Sequence, residues 1–216
     1  VRGEPRLRAM ADHARAGQPM ANLLFGAVHF LLLRGADHPL RAHYQTLGGG
    51  AEGDAFPLFR DFCFAHKAEI VPLIARGVVN TNEVARSALL QPGFLTLMRE
   101  APPPLHLVEI GCSAGLNLHW DRYGYRYSGN GAVLDSGDPA PSFRLDVPLR
   151  GGGTPPLGPN PPVGLRVGLE REPVDRADPR QRDWLKALVW PDHVERFRRL
   201  EAALTATSGL SADIRE

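Results

Sequence analysis

The sequence has few cysteines and almost no net charge, and both shortages exclude classes of protein. Two of its 216 residues are cysteines, and Cys63 and Cys112 have neither the spacing of a close pair nor that of metal ligands. They exclude a disulfide scaffold and a cysteine-based zinc site, and we predict no bound metal. The 25 basic and 24 acidic residues leave a formal charge of +1. This balance offers no basic excess for binding nucleic-acid phosphates, so we predict no nucleic-acid partner.

A long hydrophobic run is also missing. The longest apolar stretch, residues 21–33, contains Asn22 and His29 and is shorter than the roughly 20 residues that cross a bilayer. We therefore predict a buried helix here and no membrane partner. The chain starts at Val1 without the charged and apolar pattern of a secretory signal, which favours a cytoplasmic location.

The first hundred residues carry the periodicity of helices rather than the alternation of strands. Apolar residues spaced by three and four predict a helix over residues 19–34. Asp54 can cap a further helix, which Pro72 should kink or end. With 43% hydrophobic and 23% charged residues, the chain can bury a substantial core. We predict a helical domain over residues 1–101.

A different pattern begins after the three prolines at 102–104, where we place the domain boundary. Strands that alternate with helices predict an α/β domain over residues 102–216. Residues 124–162 are rich in glycine and proline and form a loop or hairpin insertion. The predicted elements are strands at 105–110 and 163–170, insertion strands at 125–127, 133–135 and 143–146, helices at 116–123, 178–190 and 193–207, and the start of a strand at 211–216.

The most informative segment is the glycine-rich turn of residues 111–115, between a predicted strand and a predicted helix. Such a turn can simply pack the helix onto the sheet. It can also let a ligand approach the backbone in a Rossmann-like sheet, where an acid after the next strand accepts hydrogen bonds from ribose hydroxyls. Glu170 is our preferred acid, and Asp135 is the alternative. A dinucleotide-binding pattern is absent because Ser113 replaces its middle glycine and the spacing differs.

These motifs resemble two known groups of proteins. The segment 107–115 resembles the first motif of class I S-adenosylmethionine-dependent methyltransferases, and 168–173 resembles their next motif. Segments 80–83, 113–118, 121–123 and 184–192 resemble domain-of-unknown-function family 2332. That resemblance covers nearly the whole chain and implies a bacterial protein with no established activity, a helical N-terminal part and a three-layer methyltransferase-like fold. It also implies further strands after residue 216.

The resemblance implies a set of residues that bind S-adenosylmethionine. Ser113 stands where the methyltransferase motif usually has glycine. The methyl acceptor would be a small molecule or a protein, and no catalytic base is assigned. The implied cofactor residues are Glu109, the motif acid; Gly111, Ser113 and Gly115, the turn under the methionine part; Asn117, which follows the turn; and Glu170, the ribose acid.

Two other functions remain open on the same residues. The first is a serine hydrolase, because residues 111–115 satisfy the G-x-S-x-G elbow with Ser113 as nucleophile and His193 as base. The orienting acid would be Asp135, Asp175 or Asp183. The second is a non-catalytic binding module, which a cleft filled by residues 124–162 would favour. An open cleft with Glu170 turned into it would favour the enzyme.

Two smaller features near the turn each have two interpretations. The segment 80–83 can begin a helix, with Asn80 as cap and Glu83 as its reciprocal acid. Alternatively, Asn82, Glu83 and Arg86 face the cofactor cleft. Cys112 is either a small turn residue or a reactive thiol.

Overall fold

The computed structural model describes residues 3–129, 131–151 and 153–216 and shows a mixed α/β protein. The chain forms two compact units, each made of two segments. The first unit contains the residues up to Thr81 and Ala177–Arg198, and the second contains Asn82–Arg176 and Arg199–Glu216. The predicted division into a helical domain over residues 1–101 and an α/β domain over residues 102–216 stays a prediction.

Helices dominate the first half of the chain and strands much of the second. Short 3-10 helices lie at Pro39–His43, Gln45–Leu47, Val84–Arg86 and Leu116–Arg122. In the part of the chain that the structure describes, no helix is both long and apolar enough to cross a bilayer. The regular elements are α1 (Pro5–Ala11), α2 (Met20–Leu33), α3 (Phe56–Ala65), α4 (Lys67–Arg76), α5 (Ser87–Leu97), β1 (Leu105–Ile110), β2 (Gly124–Gly129), β3 (Ala132–Gly137), β4 (Arg144–Pro148), β5 (Val163–Leu169), α6 (Pro179–Ala187), α7 (Val194–Ala206) and β6 (Asp213–Arg215).

The first unit packs around α2. The predicted helix over residues 19–34 is confirmed as α2, and its residues Leu23, Leu24, Ala27 and Val28 are fully buried. Its Gly26 lies against α6, because a Cβ placed there would be 3.1 Å from Leu188 Cδ2. The absence of a side chain at this position therefore allows the two helices to approach closely.

The helix after Asp54 differs from its prediction at both ends. The N-cap of α3 is Ala55 and not Asp54, although the Asp54 carboxylate accepts the Phe56 backbone N–H at 2.9 Å. In addition, α3 ends at Ala65 and Pro72 lies inside the following helix, α4. The prediction that Pro72 kinks or ends the helix that follows Asp54 was wrong, because that helix ends before the proline, with His66 as its C-cap.

The second unit contains two small sheets. In the first sheet the strand order is β1-β5-β6, and every neighbouring pair is parallel. Its register pairs Ile110 with Leu169, so β1 and β5 end level with each other. In the second sheet the order is β3-β2-β4, and its strands confirm the predicted hairpin insertion.

The helix predicted over residues 116–123 is confirmed as the 3-10 helix Leu116–Arg122, which has a kink at His119. Its end is fixed by Asp121, whose carboxylate receives two hydrogen bonds from Arg166 of β5, at 2.6 and 2.8 Å. Both side chains are at most 10% exposed. The backbone thus curves into β2 after two short turns, and the buried ion pair holds it on the sheet.

Candidate functional site

The glycine-rich turn directly continues β1 and is held against the end of β5. The backbone N–H groups of Gly111 and Cys112 both donate to the Leu169 carbonyl, at 2.8 and 3.4 Å. Three turn residues have left-handed backbones: Gly111 at φ 72°, Ser113 at φ 53° and Gly115 at φ 68°. This conformation costs little for glycine but disfavours a residue with a Cβ. Ser113 therefore carries backbone strain at the middle of the turn.

Glu170 lies beside this turn. Its Oε2 accepts the Ser113 N–H at 2.8 Å, and its Oε1 accepts the Arg171 N–H at 2.9 Å. Because β1 and β5 are adjacent and parallel, the carboxylate after β5 reaches the turn after β1. Each carboxylate oxygen carries two lone pairs, so both can accept a further hydrogen bond.

A second carboxylate, that of Glu109, lies on the inner face of β1. Its Oε1 accepts from Asn117 Nδ2 at 3.4 Å, and Asn117 Oδ1 in turn accepts from the Ser87 hydroxyl at 2.9 Å. Its Oε2 is buried and has no hydrogen-bond partner among the described residues. Burial raises the pKa of Glu109, while the Asn117 hydrogen bond and the charge of Arg86 oppose that rise. Asn117 thus connects β1 with the start of α5.

The segment 80–86 was interpreted either as a helix start or as a segment that faces the cofactor cleft, and the structure shows a part of each. Glu83, and not Asn80, is the cap of the 3-10 helix Val84–Arg86, because its carboxylate accepts the Ala85 N–H at 3.1 Å. The predicted cap at Asn80 was therefore misplaced. Asn82 is buried and its Oδ1 accepts the Leu116 N–H at 3.2 Å, so it contacts the residue that directly follows the glycine turn.

Cys112 is a packing residue of the turn. Its side chain is fully buried and fills the space beside Gly168, where an added Cβ would lie 2.5 Å from Cys112 Sγ. Burial, reinforced by the charges of Glu109 and Glu170, raises the pKa of the thiol to about 11. The thiol is protonated at neutral pH, which supports the interpretation as a small turn residue.

The residues proposed for a hydrolase take part in other contacts. Ser113 is 2% exposed. Asp135 pairs with Arg126 in the insertion sheet, and His193 belongs to the first unit, as does Asp183, which pairs with Arg34. These contacts give the hydrolase hypothesis no support, and it stays a prediction. Among the described residues, no cluster of three or more His, Cys, Asp and Glu side chains is arranged to hold a metal ion.

The insertion sheet has its anchoring contacts on α5. The Tyr127 hydroxyl donates to the Ala88 carbonyl at 2.9 Å, and Gln91 Nε2 donates to Ser136 Oγ at 2.8 Å. Four large aromatic residues are buried in this region: Trp120, Tyr123, Tyr125 and Tyr127. The insertion therefore contributes a core of its own to the second unit.

Several polar residues that define this unit gave no signal in the sequence. Arg166 binds Asp121, and Arg176 donates to the Thr207 and Leu210 carbonyls after α7. Arginine is frequent throughout this chain, so a single arginine in a loop or strand did not stand out. The two members of the ion pair are 45 residues apart in the sequence, so only the folded sheet shows that they pair.

The adjacent parallel strands, the glycine-rich turn and the facing Glu170 define an α/β protein with a candidate small-molecule site at one edge of its sheet. The chain belongs to a family described as "Uncharacterized protein conserved in bacteria (DUF2332)", whose model matches residues 3–216. This match confirms the family predicted from the sequence motifs. Comparison with curated proteins gave no match, and comparison with solved structures gave none either.

Proposed function

We propose that the second unit binds S-adenosylmethionine at the glycine-rich turn and transfers its methyl group to a small-molecule or protein acceptor. The observation that carries this proposal is the contact between Glu170 and the Ser113 N–H, at 2.8 Å. It brings a carboxylate from one strand to the turn that ends the neighbouring strand. In open α/β sheets, ligands bind outside the carboxyl ends of the strands, where this contact lies.

Strand order supports the same site. The sheet order β1-β5-β6 is parallel throughout and follows the chain order of the three strands. This is the arrangement of one half of a Rossmann-like sheet, in which the first strand carries the glycine turn and the second carries the ribose acid. Glu170 has lone pairs left for the two ribose hydroxyls after binding both backbone N–H groups.

The outer side of the turn has room for a ligand. Gly111 is exposed, and a Cβ placed on it would have no atom within 4 Å. By contrast, a Cβ on Gly115 would lie 2.9 Å from Ile214 Cδ1, so that glycine is required by internal packing. The open space at Gly111 therefore fits the methionine part of the cofactor, which the resemblance places over the turn.

The charge of the site favours a cation over a phosphate. The N–H groups of Ser113 and Leu116, which could bind a pyrophosphate, are already bound to Glu170 and Asn82. The carboxylate of Glu170 would also repel phosphate at this position. S-adenosylmethionine carries a sulfonium cation and no phosphate. This argument separates the proposed cofactor from the dinucleotides that share the fold.

When bound, S-adenosylmethionine supplies an electrophilic methyl group. The residues of this chain would bind and orient it: Glu170 would accept hydrogen bonds from the ribose hydroxyls, and Gly111 would leave the space beneath the methionine part. Alignment of the methyl carbon with the acceptor then provides most of the rate enhancement, because holding two reactants in line removes much of the entropic barrier.

A second candidate function, a binding module without catalysis, is favoured by one observation. The N–H groups of Ser113 in the turn and of Leu116 directly after it are satisfied by the protein's own side chains, so the turn is stable without a ligand. A module of this kind could still bind the cofactor but would not transfer the methyl group. Incubation with radiolabelled cofactor and a bacterial extract, followed by detection of labelled products, separates the two functions.

The test of the proposal is calorimetric titration with S-adenosylhomocysteine. We expect binding by the wild-type protein and a loss of about tenfold or more in affinity for Glu170→Ala, because hydrogen bonds to a charged group contribute about 1.5–3 kcal/mol. Glu100→Ala removes an exposed acid of the same unit and serves as the control. No heat with the wild-type protein, or equal affinity in Glu170→Ala, contradicts the proposal.

A steric variant separates ligand contact from effects on stability. Gly111 and Gly131 both have left-handed backbones, at φ 72° and 76°, and both face open space. Leucine at either position should therefore cause similar backbone strain. We expect Gly111→Leu to block S-adenosylhomocysteine binding and Gly131→Leu to leave it unchanged. Equal binding by both variants would place the ligand elsewhere.

A further inference from the structure

A second polar cavity lies at the opposite edge of the parallel sheet. It is an open groove of about 600 Å³ beside the first residues of β5 and β6. The glycine turn lies beyond the last residues of β1 and β5, whereas the groove lies beside the first residues of β5. Because β5 has seven residues and a strand rises about 3.3 Å per residue, roughly 20 Å separate the groove from the turn. We call it the His119 groove, and it is lined by His119, Arg122, Val163, Gly164, Leu165, Arg166, Gly209, Leu210, Ser211, Ala212 and Asp213.

Arg122 offers an available cation to this groove. Its side chain is 60% exposed, and its one ion pair among the described residues joins Nε to Asp121 at 3.5 Å. The same Asp121 is bound more closely by Arg166, at 2.6 and 2.8 Å. One carboxylate therefore faces two guanidinium groups. The terminal nitrogens of Arg122 remain free to bind an oxyanion, for which a guanidinium is well suited.

A third guanidinium lies behind the groove wall. Arg176 contacts His119 Nε2 at 3.3 Å and donates to the Thr207 and Leu210 carbonyls. In the part of the chain that the structure describes, none of these partners is a carboxylate. Burial and the charges of Arg176, Arg166 and Arg122 lower the pKa of His119 to about 3, so the ring is neutral at physiological pH. It accepts from Arg176 and adds no charge of its own.

The balance of charge around the groove is positive. Arg122, Arg166 and Arg176 stand against Asp121, and the carboxylate that lines the groove, Asp213, is bound by Arg215. With the Asp213–Arg215 pair neutral, three cations against one anion leave two positive charges in excess. Ser211 and exposed Leu165 add a hydroxyl and an apolar wall. A volume of this size matches those of small-molecule sites, which combine apolar walls with a few placed polar groups.

We propose that the His119 groove binds a small organic anion, with Arg122 holding its phosphate or carboxylate group. Arg166 is committed to Asp121 and keeps the groove wall in place. Arg176 contributes its positive field from beneath. The groove is separate from the cofactor site proposed above, and the two sites can be tested independently.

The experiment is calorimetric titration of the full chain with inorganic phosphate and, separately, with succinate, at ionic strength kept constant with sodium chloride. Tighter binding of phosphate indicates a phosphate ester as the natural ligand, and tighter binding of succinate indicates a carboxylate. In either case we expect Arg122→Gln to weaken the tighter probe about tenfold or more, as expected for a hydrogen-bonded charge.

Two further variants complete the test. Arg144→Gln removes an exposed arginine of the same unit that lies on β4, outside the groove, and should leave binding unchanged. Ser211→Trp fills the groove without changing charge and should abolish binding. The proposal is overturned if neither probe binds, if Arg122→Gln binds as well as wild type, if Arg144→Gln weakens binding equally, or if Ser211→Trp has no effect.

Discussion

Acid should destabilise the first unit through His29. This side chain belongs to α2, is 1% exposed and faces the C-terminal end of α6. Its Nδ1 is 3.1 Å from both the Ala187 and Val189 carbonyls, which fixes the proton on that nitrogen. Its Nε2 therefore accepts from the Thr46 hydroxyl at 2.9 Å. Every polar atom of the neutral ring is satisfied, and a second proton, on Nε2, would require the Thr46 hydroxyl to change from donor to acceptor.

The magnitude follows from the pKa of the folded state. Burial lowers the pKa of His29 from 6.5 to about 4, although the Ala187 and Val189 hydrogen bonds oppose this effect. Between these two values the unfolded chain binds the proton and the folded chain does not, so stability falls as the pH falls. The loss between pH 7 and pH 5 is about 2 kcal/mol, and it approaches about 3 kcal/mol below pH 4.

The assay is urea unfolding at pH 7 and pH 5, followed by tryptophan fluorescence. Trp184 and Trp190 lie 5.8 and 5.5 Å from phenylalanine rings of α2, so they report on the unit that contains His29. Trp120 belongs to the second unit and is replaced by phenylalanine in both proteins. We expect His29→Gln to remove about 2 kcal/mol of the pH dependence. An identical pH dependence in the two proteins would refute the reasoning.

Two further predictions concern buried groups. Asp121→Asn should destabilise the second unit by about 3–5 kcal/mol, because it leaves the buried Arg166 without its counter-charge; urea unfolding followed by Trp120 fluorescence measures this, and a loss below about 1 kcal/mol would contradict it. Burial raises the pKa of Cys63 to about 12 and that of Cys112 to about 11. Neither thiol should react with an aromatic disulfide reagent at pH 8 until urea unfolds the chain. Rapid labelling of Cys112 in the folded protein would contradict this and would show that the turn opens.

The sequence predicted the elements whose signal is local. The apolar spacing of α2 and the runs of β1 and β5 are periodic over six or more residues, and each was placed within a few positions. The glycine turn was recognised because strand, glycines and Glu170 follow one another in a known pattern. In contrast, the 3-10 conformation after Gly115 depends on the buried pair of Asp121 and Arg166, which no local pattern encodes.

The candidate site was predicted only as a set of residue types. Glu109, Asn117 and Glu170 were selected from motifs, but their hydrogen bonds depend on which strands pair. Asn82 was considered for the cleft, yet its contact with the Leu116 N–H was unforeseeable because 34 residues separate the two. The His119 groove was missed entirely. Its arginines come from three distant segments, and only the folded sheet brings their charges together.

Because each unit consists of two chain segments, neither unit can be completed early during synthesis of the chain. Residues up to Thr81 are synthesised before the part that completes their unit, Ala177–Arg198, which follows only after the second unit's first segment, Asn82–Arg176. His29 must wait for Ala187 and Val189, which lie 158 and 160 residues further along the chain. Until then the apolar surface of α2 that faces α6 has no cover, and such exposed surface on a nascent chain favours aggregation. We therefore expect this surface of α2 to stay exposed until residues 177–198 have been synthesised.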